Sequence, residues 1–326
     1  MDFRKESRNF EKRGLSIIEE NLKIKDLKKI RDDLEFEFSN HNYPRDLDMH
    51  QFKNKELMNQ ILKLIPTNKI KLLFDEIAYI NDTGPITLFP FANVMRNFYS
   101  GPFAGLHGWH SDSDGELKHK FCQEKLKSKK YIFGKLQICF QANNDYGGNI
   151  DILSKYYKKR VNKTPFIIKF FLKIQDVLLK NSFFRKRFTK NIWLTDLIAH
   201  LMRFEKVLTK PISVIIFEHR LFHRGTPMKP SIISKLIMNH GPEIVNNQYQ
   251  INPKINLNSN NKYTFYIHFG SQEGLLSYLY DRVRRKYGEE EIIRWRKQFK
   301  ELEIFKKDFP ESEVLFNENF KNIMEL

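Results

Sequence analysis

Cysteine is scarce: Cys122 and Cys139 are the only two in 326 residues. They make neither a disulfide framework nor the Cys-x(2 to 4)-Cys clip of a zinc finger. Long apolar runs are missing too. The longest stretch without Asp, Glu, Lys or Arg runs from Asn97 to Ser111 and is full of Gly, Ser and His. It falls short of the roughly 18 apolar residues that span a bilayer, so no transmembrane helix is expected. No apolar h-region follows the charges of Met1-Asp2-Phe3-Arg4-Lys5-Glu6, and with so little cysteine a reducing cytoplasm is the expected location. Acidic residues are in deficit, 39 Asp+Glu against 56 Lys+Arg, leaving a formal net charge of +17. That charge puts nucleic acid, an anionic membrane surface and anionic small molecules first among partners to consider. A hydrophobic content of 41% with 29 Phe excludes a disordered polycation, so the charge decorates a folded body.

The chain divides by texture. In residues 1–85, Leu15, Ile17 and Ile18 suit a short strand. Leu27, Ile30, Leu34 and Phe38 then recur at helical spacing behind Asp26, and a second helical pattern covers Lys53 to Leu64. Residues 65–85 fit either helix or strand. From 86 to 270 short β-like runs take over: Phe91 to Tyr99, Tyr131 to Phe140, Ile212 to Phe217, Ile232 to Met238 and Tyr263 to Phe269. Such runs predict an antiparallel sandwich or barrel. They are interrupted over 164–208 by Phe166, Ile167, Phe170, Phe171 and Ile174 at helical spacing among Lys169, Lys173, Lys180 and Arg185. This reads as a basic helical insert, either a cover packed on the β core, a lid, or a foot on an anionic membrane. Residues 271–326 turn helical again to about Phe305, with a loose tail expected after Pro310. The fold class expected is mainly β with helices (α+β), in one domain of 1–326.

The chemistry concentrates in Gly108-Trp109-His110-Ser111-Asp112. On an extended strand, His110 and Asp112 share a face because side chains alternate with period two. An imidazole nitrogen beside a hard carboxylate oxygen suits Fe(II). A third ligand is available at the end of a buried β run, where Ile212 to Phe217 leads through Glu218 and His219 to His223 and a Gly225-Thr226-Pro227 turn. Together His110, Asp112 and His223 make a 2-His-1-carboxylate triad. His219 and His223 as helical zinc ligands are opposed by the β-branched run before them and the turn after them. Asp114 is a rival carboxylate. His107, His119, His219 and His240 have no matching context, and Gly147-Gly148 most simply makes a hairpin turn.

With Gly134-Lys135-Leu136-Gln137-Ile138 and Asn143-Asn144-Asp145-Tyr146-Gly147-Gly148-Asn149-Ile150-Asp151 between them, the two motifs resemble the phytanoyl-CoA dioxygenase family over about Phe91 to Phe269. The resemblance implies a double-stranded β-helix (jelly roll, cupin-like) core with flanking helices. It implies Fe(II) held by His110, Asp112 and His223, with 2-oxoglutarate and O2 as co-substrates. It also implies hydroxylation of a small molecule of lipid, acyl or sugar type with release of succinate and CO2, since halogenating relatives lack a carboxylate at Asp112. The Arg that such relatives use for the far carboxylate of 2-oxoglutarate is missing. Lys262 is preferred as its substitute over Lys235. The alternative, a basic protein that binds or modifies nucleic acid, follows from the charge alone; no helix-turn-helix or RNP-like stretch supports it.

Overall fold

The computed structural model describes residues 2–19, 24–44, 46–96, 110–142, 144–154, 157, 170, 204–226, 228–229, 231–232, 235, 239, 243–245, 248–250, 256–285 and 288–325. The strands are β1 Leu15–Ile18, β2 Asp46–Asp48, β3 Thr87–Arg96, β4 Phe133–Cys139, β5 Ile150–Ile152, β6 Glu205–Val207, β7 Val214–Glu218, β8 His223–Gly225, β9 Glu243–Val245, β10 Gln248–Gln250 and β11 Tyr263–Gly270. The helices are α1 Phe3–Arg13, α2 Ile24–Asn40, α3 Lys55–Lys63, α4 Thr67–Asn81, α5 Lys120–Lys127, α6 Gln272–Val283, α7 Gly288–Lys297 and α8 Ser312–Met324. Six strands form one sheet in the order β1-β7-β4-β11-β3-β2, three form a second in the order β6-β5-β8, and β9 pairs with β10. Every strand pair is antiparallel.

The large sheet is buried on both faces, and period two sorts its side chains. Phe265, Ile267 and Phe269 of β11, Leu136 and Ile138 of β4, and Val214 and Ile216 of β7 pack with Phe10, Phe74 and Ile77 from α1 and α4. The intervening positions, Tyr266, His268, Lys135, Gln137 and Phe217, face a cavity on the other side. Gly134 permits the close approach of β4 to β7, since a Cβ there would stand 2.2 Å from Phe217 O. One irregularity matters for the site. Between Ile267 and His268 the pairing of β11 with β3 slips from Ala92 to Phe89, leaving Pro90 and Phe91 unpaired. Pro90 has no N–H to give the ladder, which is why the bulge falls there.

Local signals explain several boundaries. Asp2 caps α1 by accepting from Lys5 N, and Gly14 ends it at φ 71°. Asn54 caps α3 and Ser271 caps α6, the latter directly after β11.

Several expectations are corrected. Helices hold more of the described residues than strands do, so the class is α+β with heavy helical flanks, not mainly β. Residues 65–85, open to either helix or strand, contain the helix α4. Beyond Pro310 there is a helix, α8, whose Phe316 and Ile323 are buried; Pro310 only separates it from the preceding turns. In the run 232–238 the described positions Ile232 and Lys235 are helical. Further on, β9 and β10 pair as a hairpin. The insert 164–208 lies outside the described residues except for 170 and 204–208, and its end is the strand β6. No helix among the described residues is long and apolar enough to cross a membrane.

Packing of the C-terminal helices creates one pH-sensitive group. Glu116 is buried, accepting from Tyr131 OH at 2.9 Å and from Ser277 Oγ. Burial pushes its carboxyl from 4.5 up to about 8, more than those two hydrogen bonds offset. A folded-state pKa raised this way gives stability that is full below the unfolded value and is lost as pH rises towards 8. Glu116→Gln should remove that decline, which approaches about 1.4 kcal/mol per pH unit. Urea denaturation of both proteins between pH 5 and 8 checks it; parallel profiles would refute the assignment.

Candidate metal centre

His110 and His223 are brought together by their backbones. Each donates its N–H to the other's carbonyl at 2.9 Å, an isolated antiparallel bridge. His110 therefore sits at the edge of β8. Asp112, expected two residues along the same strand, opens a single-turn helix, Asp112–Asp114. The turn is fastened to the segment before β8, because Ser111 Oγ donates to His219 O at 2.7 Å and Ser113 N donates to the same carbonyl at 3.3 Å. The period-two argument put His110 and Asp112 on one strand, but a turn, not a strand, delivers the carboxylate.

The three side chains converge, with one ligand atom from each lying within 4.8 Å of the others. Asp112 Oδ1 is 3.5 Å from His110 Nε2, and Asp112 Oδ2 is 3.7 Å from His223 Nε2. His223 Nδ1 lies 2.9 Å from Leu221 O. A carbonyl only accepts, so Nδ1 carries the proton and Nε2 presents its lone pair to the centre. Burial pushes the His223 imidazole down to about 3, which keeps it neutral as a ligand must be. Burial alone would raise Asp112, but Lys135, His223 and His110 together hold its carboxyl well below the usual range.

Behind β8 the structure is locked by a buried ion pair. Arg224 Nε donates to Asp151 Oδ2 at 2.9 Å and Thr226 Oγ1 to Asp151 Oδ1 at 2.8 Å. Consecutive residues thus divide the work: His223 faces the centre while Arg224 ties β8 to β5.

Other sequence candidates fall elsewhere. Asp114 sits in the same turn, outside the converging set. His119 pairs with Asp281 at 3.4 Å. His219 is buried, with neither ring nitrogen hydrogen-bonded, packed edge-on to Phe133. His107 and His240 lie outside the described residues. Gly147 and Gly148 do turn the chain, at φ 77° and 121°, with Asn144 and Gly147 exchanging backbone hydrogen bonds. Lys262 is buried beside that turn, donating to Asn144 Oδ1 at 2.9 Å and Ala142 O at 3.3 Å, and burial lowers its ammonium to about 8. Lys235 is exposed.

Two residues were missed. Lys135 Nζ lies 2.9 Å from Asp112 Oδ2 and lines the cavity beside the centre. His268 lines the same cavity, with Nδ1 2.6 Å from Phe91 O, the carbonyl that the β3 bulge frees. The signal for Lys135 was present: Lys135 and Gln137 are polar at alternate positions of an otherwise apolar strand.

No family model matches the chain, and no curated protein does. Among solved structures the chain is similar to AviO1 from Streptomyces viridochromogenes Tue57, at 11% identity over 82% of this chain and 95% of that one, TM-score 0.43. It is similar to the non-heme alpha ketoglutarate dependent epimerase SnoN from nogalamycin biosynthesis, at 11% identity over 82% of each chain, TM-score 0.44. It is also similar to HygX from Streptomyces hygroscopicus with nickel and 2-oxoglutarate bound, at 12% identity over 82% of this chain and 86% of that one, TM-score 0.41.

Proposed function

We propose that this chain is a non-haem Fe(II)- and 2-oxoglutarate-dependent dioxygenase that uses O2 to hydroxylate a small molecule, releasing succinate and CO2. We read it as one oxygenase domain on a double-stranded β-helix core. The observation that carries the reading is the convergence of His110, Asp112 and His223 at one end of a cavity of about 220 Å³. The donor set fits the metal: two imidazole nitrogens and one carboxylate would leave positions open, as an iron oxygenase requires. Bound Fe(II), with 2-oxoglutarate and O2, supplies the oxidising chemistry.

The chain's own residues do the rest. Leu221 O aims the His223 ring, and Lys135 offsets the Asp112 charge. Phe217, 4.8 Å ring to ring from His223, keeps water from that side of the centre. Lys262 is the better placed of the two lysines for the far carboxylate of 2-oxoglutarate. It is 2% exposed and immediately precedes β11, four residues from Tyr266, which lines the cavity. The substrate occupies the remainder of the cavity.

Anaerobic Fe(II) titration followed by 2-oxoglutarate tests the reading. A weak visible charge-transfer band should form with the wild type and be absent from His110→Ala. No band in the wild type would sink the proposal. Succinate release across a substrate panel then identifies what is oxidised.

A further inference from the structure

Helix α6 buries Leu275, Tyr278 and Leu279 on its inner face. Arg282 follows four residues after Tyr278, on that same face, where the spacing calls for another apolar side chain. It lines the cavity beside the metal centre together with Tyr278 and Trp295. Its guanidinium carbon stands 4.9 Å from the centroid of the Tyr278 ring and 5.7 Å from that of Trp295, so two aromatic rings hold the fork in place. Packing alone would favour an apolar side chain here.

What the guanidinium lacks is an acceptor. None of its N–H donors makes a hydrogen bond among the described residues: Nε is sealed from solvent without a partner, and the ion pair with Glu291 leaves Nη1 and Oε2 3.6 Å apart. Those two side chains are 26% and 29% exposed, so the pair is partly solvated and weak. Other buried arginines show the contrast. Arg220 donates to Glu218, Leu126 O and Tyr131 O, and Arg224 donates to Asp151. Burial works against the charge of Arg282, but Tyr278, Glu291, Asp281 and Asp112 outweigh it and keep the group cationic. Tyr278, on the same wall, likewise donates its OH to no described residue. Buried donors without acceptors are satisfied by a ligand that brings acceptors.

We propose that Arg282, with Tyr278 beside it, binds a carboxylate group of a molecule held in the cavity. This deepens the oxygenase reading and rests on it only for which molecule brings the carboxylate, the far end of 2-oxoglutarate or the compound to be oxidised. A planar guanidinium meets both oxygens of a carboxylate at once, and the two rings hold it ready to do so. Asp46, Asp48 and Glu291 line the same cavity. They repel a phosphate, with its nearly two negative charges, more than a carboxylate with one. Neutral amides forgo the charge-assisted bond altogether.

Ligand-observed NMR titration of metal-free protein with butyrate, butyramide and butyl phosphate tests the site without using the metal centre. Butyrate should bind about tenfold or more tightly than either of the others. Arg282→Gln should lower butyrate affinity about tenfold, and Arg282→Lys should keep part of it. Glu291→Gln, which removes the competing anion, should tighten butyrate about threefold. Circular dichroism checks that each variant folds. Butyramide or butyl phosphate binding as tightly as butyrate, no butyrate binding at millimolar concentration, or an affinity unmoved by Arg282→Gln (by Glu291→Gln, should the first variant not fold) would each overturn the proposal. Calorimetry on Ni(II)-loaded protein then names the source. Loss of 2-oxoglutarate affinity in Arg282→Gln, with 2-oxobutyrate unchanged, gives the carboxylate to 2-oxoglutarate. Unchanged 2-oxoglutarate affinity gives it to the compound to be oxidised, with Lys262 holding the co-substrate. Normal butyrate binding without any 2-oxoglutarate binding would count against the oxygenase reading alone, so the two readings fail separately.

Discussion

Asp112→Asn should weaken divalent metal binding by at least about 100-fold, while Asp114→Asn, two residues away, should change it less than about threefold. The substitution keeps the side chain's shape and removes the one anion among the three converging side chains. Asp112 sits with one oxygen toward His110 and the other toward His223 and Lys135. Its charge therefore balances both an incoming cation and a resident one. Without it, Lys135 faces the metal with no counter-ion between them, and repulsion is added to the lost coordinate bond. Calorimetric titration with Fe(II) under anaerobic conditions, or with Ni(II), measures both variants. Near-native affinity in Asp112→Asn would remove Asp112 from the ligand set.

Arg220→Ala should cost about 3–5 kcal/mol of stability, a large part of the 5–15 kcal/mol typical of a folded protein. Arg220 is paired with Glu218, and their side chains are 8% and 1% exposed. The guanidinium also donates to Leu126 O at 2.9 Å and to Tyr131 O at 3.1 Å. It thereby ties the end of β7 to the α5 segment. Even with Arg220 present, burial pushes Glu218 up to about 7. Removing the cation raises it further, so the variant folds with Glu218 protonated and loses stability progressively as pH rises from the unfolded carboxyl value. Urea denaturation gives the magnitude. Adding Glu218→Gln should restore part of the loss and flatten the pH dependence. A single-variant cost under about 1 kcal/mol would mean the pair is solvated in solution.

The strands were legible wherever both faces of the large sheet are buried. β7 and β11 read as largely apolar or aromatic runs because α1 and α4 cover one side and the cavity wall the other. Helices were legible where a cap coincided with spacing, as at Asn54 before α3. They failed where composition argued the other way. The α1 sequence FRKESRNFEKR is almost all charge, and only Ser7 and Phe10 are buried. α8 follows a proline whose usual meaning is a stop. Ile232 was assigned to strand as part of a short apolar run, a signal that does not distinguish strand from helix. In the site, the three converging residues were picked out by side-chain chemistry and order. The bridge between His110 and His223 was not, since it pairs residues far apart in the chain. His268 was hidden for a similar reason: its role depends on a bulge in β3 that frees Phe91 O, and nothing near residue 268 announces it.

The strand order has a consequence for biosynthesis. β11 lies between β4 and β3, yet it is drawn from residues 263–270, long after either neighbour has left the ribosome. Until it arrives, β2 and β3 can pair in one ribbon and β1, β7 and β4 in another, with no strand between them. Both ribbons expose unpaired edges along β3 and β4, the positions where nascent chains stick to one another. Joining them closes long chain loops, which makes this a slow step. The chain completes its sheet almost last, and a holding chaperone has most to protect just before Tyr263 emerges.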